Sequence, residues 1–144
     1  MWTAALSGVI ITTTAQYKET AMEIVGRVIS GKGLGRRLGF PTANLSIDQA
    51  AGIAYGVYSA KAEVAGRWHA AVLNVGEHPT LPEGLPTVEV YILDEPVALY
   101  GEDLRVILLR YLRPEQKFNN IDELREQIGR DVEQAREDAN QARP

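Results

Sequence analysis

Cysteine is absent from the 144 residues, which excludes disulfides, thiolate zinc sites and thiol nucleophiles. Histidine is scarce. His69 and His78 are the whole supply, too few for a multi-histidine metal centre without carboxylate help. No apolar run is long enough to span a bilayer: Met1 to Thr14 is short, and it lacks the basic start and cleavage site of an export signal. The expectation is a cytoplasmic protein with no membrane contact. Positive charge is also short, 15 lysines and arginines against 19 acids for a net charge of −4, which argues against a nucleic-acid partner. Small-molecule partners and a monomer are expected.

What is present suffices for one core, since 45% of the residues are apolar. Residues 1–22 read as a lead-in of undefined role, with one strand from Ala4 to Thr13 and then a polar connector. Strand signals follow at Ile24–Ser30, Thr42–Ile47, Tyr55–Val64, Trp68–Asn74, Thr87–Leu93 and Leu104–Leu112, with Ala65-Gly66 as a hairpin turn. The Leu104–Leu112 run is apolar on both faces and is expected to be buried on both. Gly76 to Pro86, with three prolines and two glycines, reads as a long loop. The period then changes: Ile121, Leu124, Ile128, Val132 and Ala135 recur at helical spacing, Asn120 and Glu123 are spaced as a capping box, and Glu126 and Arg130 as an i,i+4 pair. A β-barrel or sandwich with one terminal helix packed on it is expected, and a tail at 140–144.

Three segments carry chemistry. Gly31-Lys32-Gly33-Leu34-Gly35, followed by Arg36 and Arg37, offers unobstructed backbone N–H groups beside cations, suited to a phosphate. It is neither a P-loop, because Gly33 stands where a Ser or Thr is needed, nor a dinucleotide fingerprint, because Leu38 stands at the third glycine. An ordinary flexible turn is the plain alternative. In Pro41-Thr42-Ala43-Asn44, the Thr42 hydroxyl and Asn44 carboxamide share one side of an extended chain, and both are hard oxygen donors. A turn with local side-chain bonds is the alternative there. Alternation places Glu89 with Thr87 and Tyr91, opposite Val88, Val90 and Ile92, so Glu89 is either a general base or part of a solvated face.

Taken in order, Gly26 to Leu45, Tyr55-Gly56-Val57-Tyr58, Asn74-Val75-Gly76, Pro79-Thr80, Val88-Glu89, Leu99-Tyr100-Gly101, Leu112-Arg113-Pro114-Glu115, Lys117-Phe118 and Asp131 resemble the riboflavin kinase (flavokinase) family. The resemblance covers roughly residues 24–136 and implies a kinase domain at 23–139. It implies a six-stranded Greek-key antiparallel β-barrel with a C-terminal amphipathic helix packed on it. It also implies transfer of phosphate from ATP to the riboflavin 5′-hydroxyl, giving FMN and ADP with Mg2+. The resemblance makes Glu89 the base and Thr42 and Asn44 the metal and phosphate ligands. Gly31, Lys32, Gly33, Gly35, Arg36 and Pro41 fall at the nucleotide, and His78, Thr80, Tyr100 and Arg113 at the flavin.

The chain departs from the family pattern at His78, at Glu95-Pro96 and at Ala98, all on the flavin side. These departures leave open a catalytically weak paralogue that binds flavin or nucleotide as a sensor or carrier. Bacterial relatives often carry a second, FMN adenylyltransferase domain, and two isolated histidines do not supply its motif. No FAD synthesis is expected from these residues, which would be a monofunctional enzyme or the excised kinase part of a bifunctional one.

Overall fold

The computed structural model describes residues 3–6, 9–12, 21–29, 42–46, 53–77, 86–94 and 102–141. Six strands close on themselves: β3 (Ala21–Ile29), β4 (Ala43–Ser46), β5 (Gly56–Val64), β6 (Arg67–Glu77), β7 (Pro86–Ile92) and β8 (Asp103–Arg113). Their order around the ring is β3-β4-β7-β6-β5-β8, every pair is antiparallel, and β8 pairs back onto β3 from Met22↔Leu108 to Arg27↔Asp103. Three consecutive strands with the fourth returned beside the first is the Greek-key arrangement.

Residues 1–22 hold two short strands rather than one. β1 (Thr3–Leu6) and β2 (Val9–Thr12) pair from Leu6↔Val9 to Thr3↔Thr12, and β2 continues onto β3. The apolar run is divided by Ser7-Gly8, a turn signal. The loop expected from Gly76 to Pro86 is also shorter at its ends, because Gly76 and Glu77 still pair with Thr87 and Pro86.

The barrel is filled from alternate positions. Ile24, Val28, Leu45, Leu73, Val75, Val88, Val90, Leu104 and Val106 are all buried, and Ala60, Ala62 and Ala71 give the interior room for them. The Ala65-Gly66 turn joins β5 to β6 as expected, with both residues at positive φ, the pattern of a two-residue hairpin loop. At the other end of β5, Gly56 has φ 146°, and a Cβ there would stand 2.7 Å from the Arg113 carbonyl oxygen. Only glycine fits that contact.

Strand β8 carries two irregularities against β5. Ala60 pairs with Leu108 but Ser59 with Arg110, and Tyr58 pairs with Tyr111 but Val57 with Arg113, so Leu109 and Leu112 are each an extra residue. Each bulge reverses the side on which the following residue emerges. Leu108 and Tyr58 therefore belong to the core, whereas Arg110 and Arg113 both meet the terminal helix outside the barrel. Burial on both faces of β8 is confined to 106–108, and the strand opens to solvent beyond.

That helix, α1 (Ile121–Gln141), starts where the sequence places it. The Asn120 side chain accepts from the Glu123 N–H at 2.9 Å, and the Glu123 carboxylate accepts from the Asn119 N–H at 3.3 Å. Asn120→Ala should lower stability by about 1 kcal/mol, read from the midpoint of chemical unfolding.

The face that docks shares Ala135 with the expected apolar stripe but is turned away from its other members. Ile121 is 58% exposed and Leu124, Ile128 and Val132 are half-buried, while the buried positions are Asp131 and Ala135. Asp131 accepts from Arg113 Nη2 at 2.7 Å and from Gln127 at 3.0 Å. Asp138 accepts from the buried Ser59 hydroxyl at 2.6 Å and from Arg110. At the outer edge Arg136 grips Asp94 at 2.7 Å and holds its carboxyl below the usual range. The helix is rotated toward these anions because the bulged strand offers it arginines. Arg130 donates to Gln127 at 2.7 Å, one position from the Glu126 partner that spacing alone suggested.

Candidate active site

On the outer face of the barrel, opposite the packed interior, a single row of side chains crosses five strands. Asn44 of β4 is the register partner of Glu89 of β7, Glu89 of Asn74 of β6, Asn74 of Val57 of β5, and Val57 of Arg113 of β8. Directly opposed residues have Cβ atoms about 5 Å apart, so Glu89 stands between two carboxamides. Asn44, Glu89 and Asn74 are all half-buried. Thr42 lies two residues before Asn44, just ahead of β4, and is half-buried too. The structure thus brings Glu89 of β7 beside the Thr42–Asn44 segment, from which it lies far apart in the chain.

Of the flavin-side candidates, Arg113 ends the same row. Its Nε and Nη2 donors are taken by Asp131, and the guanidinium lies 5.9 Å from the Phe118 ring centroid. It therefore fixes the helix and forms a wall. An open cleft of ≈ 510 Å³ runs between β8 and α1, lined among others by Arg110, Arg113, Gln127, Arg130 and Gln134. From Glu89 to Arg113 is three strand spacings, roughly 14 Å along the sheet. Gly31, Lys32, Gly33, Gly35, Arg36 and Pro41 lie outside the described residues, as do His78, Thr80 and Tyr100.

No group of three or more histidines and carboxylates able to hold a metal occurs among the described residues. Two neutral oxygens, Thr42 and Asn44, fit a magnesium ion that keeps water and substrate phosphates as its remaining ligands.

One residue of the row went without a role in the sequence. Asn74 has its side-chain Oδ1 buried without a hydrogen-bond partner among the described residues. The signal was present, an amide inside the otherwise apolar run from Ala70 to Gly76. Its neighbour Gly76 is closely packed as well, since a Cβ there would fall on the Glu115 carboxylate.

A family model described as "Flavokinase: Riboflavin kinase" matches residues 18–139. The chain belongs to the riboflavin kinase family. It is 38% identical over 110 residues to the "RNA-binding riboflavin kinase RibR" of Bacillus subtilis, covering 76% of this chain and 47% of that protein. It is 41% identical over 117 residues to the "Bifunctional riboflavin kinase/FMN adenylyltransferase" of Escherichia coli, covering 79% of this chain and 37% of that one. The chain thus spans less than half the length of these curated relatives. Among solved structures, a Streptococcus pneumoniae chain described as a macrolide-efflux protein matches with TM-score 0.72 and 33% identity, over 79% of this chain and 38% of its own. No helix among the described residues is long and apolar enough to cross a membrane.

For this riboflavin kinase family member, the β1–β2 hairpin precedes the matched region, whereas the barrel and nearly all of α1 fall within it.

Proposed function

We propose that this chain transfers the γ-phosphoryl group of MgATP to the 5′-hydroxyl of riboflavin, giving FMN and ADP. The observation that carries the reading is the register pair Asn44↔Glu89 with Thr42 beside it, which puts a carboxylate next to two hard oxygen donors. In this reading Glu89 accepts the proton of the 5′-hydroxyl as its oxygen attacks the γ-phosphorus. The bond from that phosphorus to the β,γ-bridging oxygen breaks, and ADP leaves. Thr42 and Asn44 hold the metal-bound phosphates. Magnesium, when bound, neutralises charge on the transferring group. The glycine-rich segment 31–35 with Lys32 and Arg36 takes the nucleotide. The isoalloxazine lies toward the cleft beside α1, in reach of a 5′-hydroxyl at Glu89 given the length of the row.

Small-molecule partners and a cytoplasmic monomer complete the reading. Charge placement supports it over a nucleic-acid partner. Among the described residues, Arg105, Arg110, Arg113 and Arg136 are each engaged by a carboxylate, Glu23, Asp138, Asp131 and Asp94 respectively, and these four form no open cationic patch.

The test is FMN formation from riboflavin and ATP with and without Mg2+. Metal-dependent FMN is the expected result. Flavin or nucleotide binding without turnover would instead assign a sensor or carrier.

A further inference from the structure

A buried acceptor without a donor is rare in folded proteins and calls for an explanation in each case. Asn74 presents one, and its place in the row suggests what completes it. It lies one strand from Glu89 on the side toward Val57 and Arg113, hence between the proposed base and the cleft at the helix. Among the described residues no donor reaches its Oδ1. The interior core residues of the same strand, Leu73 and Val75, face away from it and are apolar. A donor that arrives with the substrate would complete it.

Resting on the kinase reading above, we propose that Asn74 is a specificity-determining residue for the acceptor substrate. Its carboxamide oxygen accepts a hydrogen bond from a secondary hydroxyl of the polyol chain that links the 5′-hydroxyl to the flavin ring. With the 5′-hydroxyl at Glu89 and the ring toward the cleft, that chain passes Asn74. The bond sets the chain's position, and it selects flavins with a hydroxylated side chain over those without. A site built to pair a hydroxyl discriminates strongly against a ligand that lacks it, because the buried partner is then left unsatisfied.

The stability consequence is opposite to that of a structural asparagine. Removing an unpartnered buried acceptor takes away a desolvation cost and no bond, so Asn74→Ala and Asn74→Val should melt no lower than wild type. The experiment measures kcat/KM for riboflavin and for its three side-chain analogues that each lack one secondary hydroxyl, in wild type and both variants. Wild type should lose roughly 10- to 100-fold on one analogue. Each variant should lose a similar factor on riboflavin and show no further loss on that analogue.

Equal losses on every analogue in wild type and variants would overturn the proposal, as would undiminished activity on riboflavin. A lowered melting temperature with unchanged kinetics would overturn it in favour of a structural role. Wild type that forms no FMN at all would overturn the kinase reading, and this inference with it.

Discussion

Glu89→Gln should reduce FMN formation by about 10²–10⁴-fold while leaving MgATP binding close to wild type. The substitution keeps shape and hydrogen-bonding capacity and removes only the ability to accept a proton. Its effect therefore isolates the base from the scaffold. The row supports a large effect, because Glu89 is flanked on both adjacent strands by carboxamides, Asn44 and Asn74, which do not take a proton at neutral pH. Initial rates beside ADP binding by calorimetry separate the two terms. A variant with full turnover would remove Glu89 from the chemistry, and one that no longer binds nucleotide would make it a binding residue.

Asp131→Ala should destabilise the fold by about 3 kcal/mol, the cost of stripping one partner from a buried ion pair. The Asp131 and Arg113 side chains are only 5% and 17% exposed, so the guanidinium left behind regains little water. The same carboxylate also holds Gln127, so one truncation releases two contacts along the helix. For a domain of this size the melting temperature should drop by roughly 10 °C. The double variant Arg113→Met with Asp131→Leu should recover most of the loss, because apolar replacement of both partners leaves no unpaired charge. Equal instability of the double and single variants would mean that the pair adds net stability rather than avoiding a cost.

These two residues also mark what a single sequence reveals and what it hides. Alternation within one strand placed Glu89 on the face opposite Val88 and Val90, and the structure agrees. Its juxtaposition with Asn44 and Asn74 depends on strand order, which pairs β4 with β7 across two intervening strands and leaves no trace in local periodicity. The helix was legible in its cap and period because both are local. Its docking face was not, because that face is chosen by two bulges in β8 that together bring Arg110 onto the same side as Arg113. Read with strict alternation, Leu108 and Arg110 share a side; with the extra residue Leu109 they do not. The β1–β2 hairpin was hidden for a related reason, an unbroken apolar composition divided only by Ser7-Gly8.

The seam between β3 and β8 has a kinetic side. Met22 and Leu108 come from nearly opposite ends of the barrel sequence, yet they are neighbours in the ring. During synthesis β3 emerges early, and its partner on that edge follows only after every other barrel strand has been made. Until then the edge carries unsatisfied backbone groups able to template pairing with another chain. Loop-closure entropy makes such distant pairings slow. The zipping of the barrel's first strand to its last is thus the pairing expected to form late, whereas the Asn44–Glu89–Asn74 row, built on β4, β7 and β6, does not include that seam.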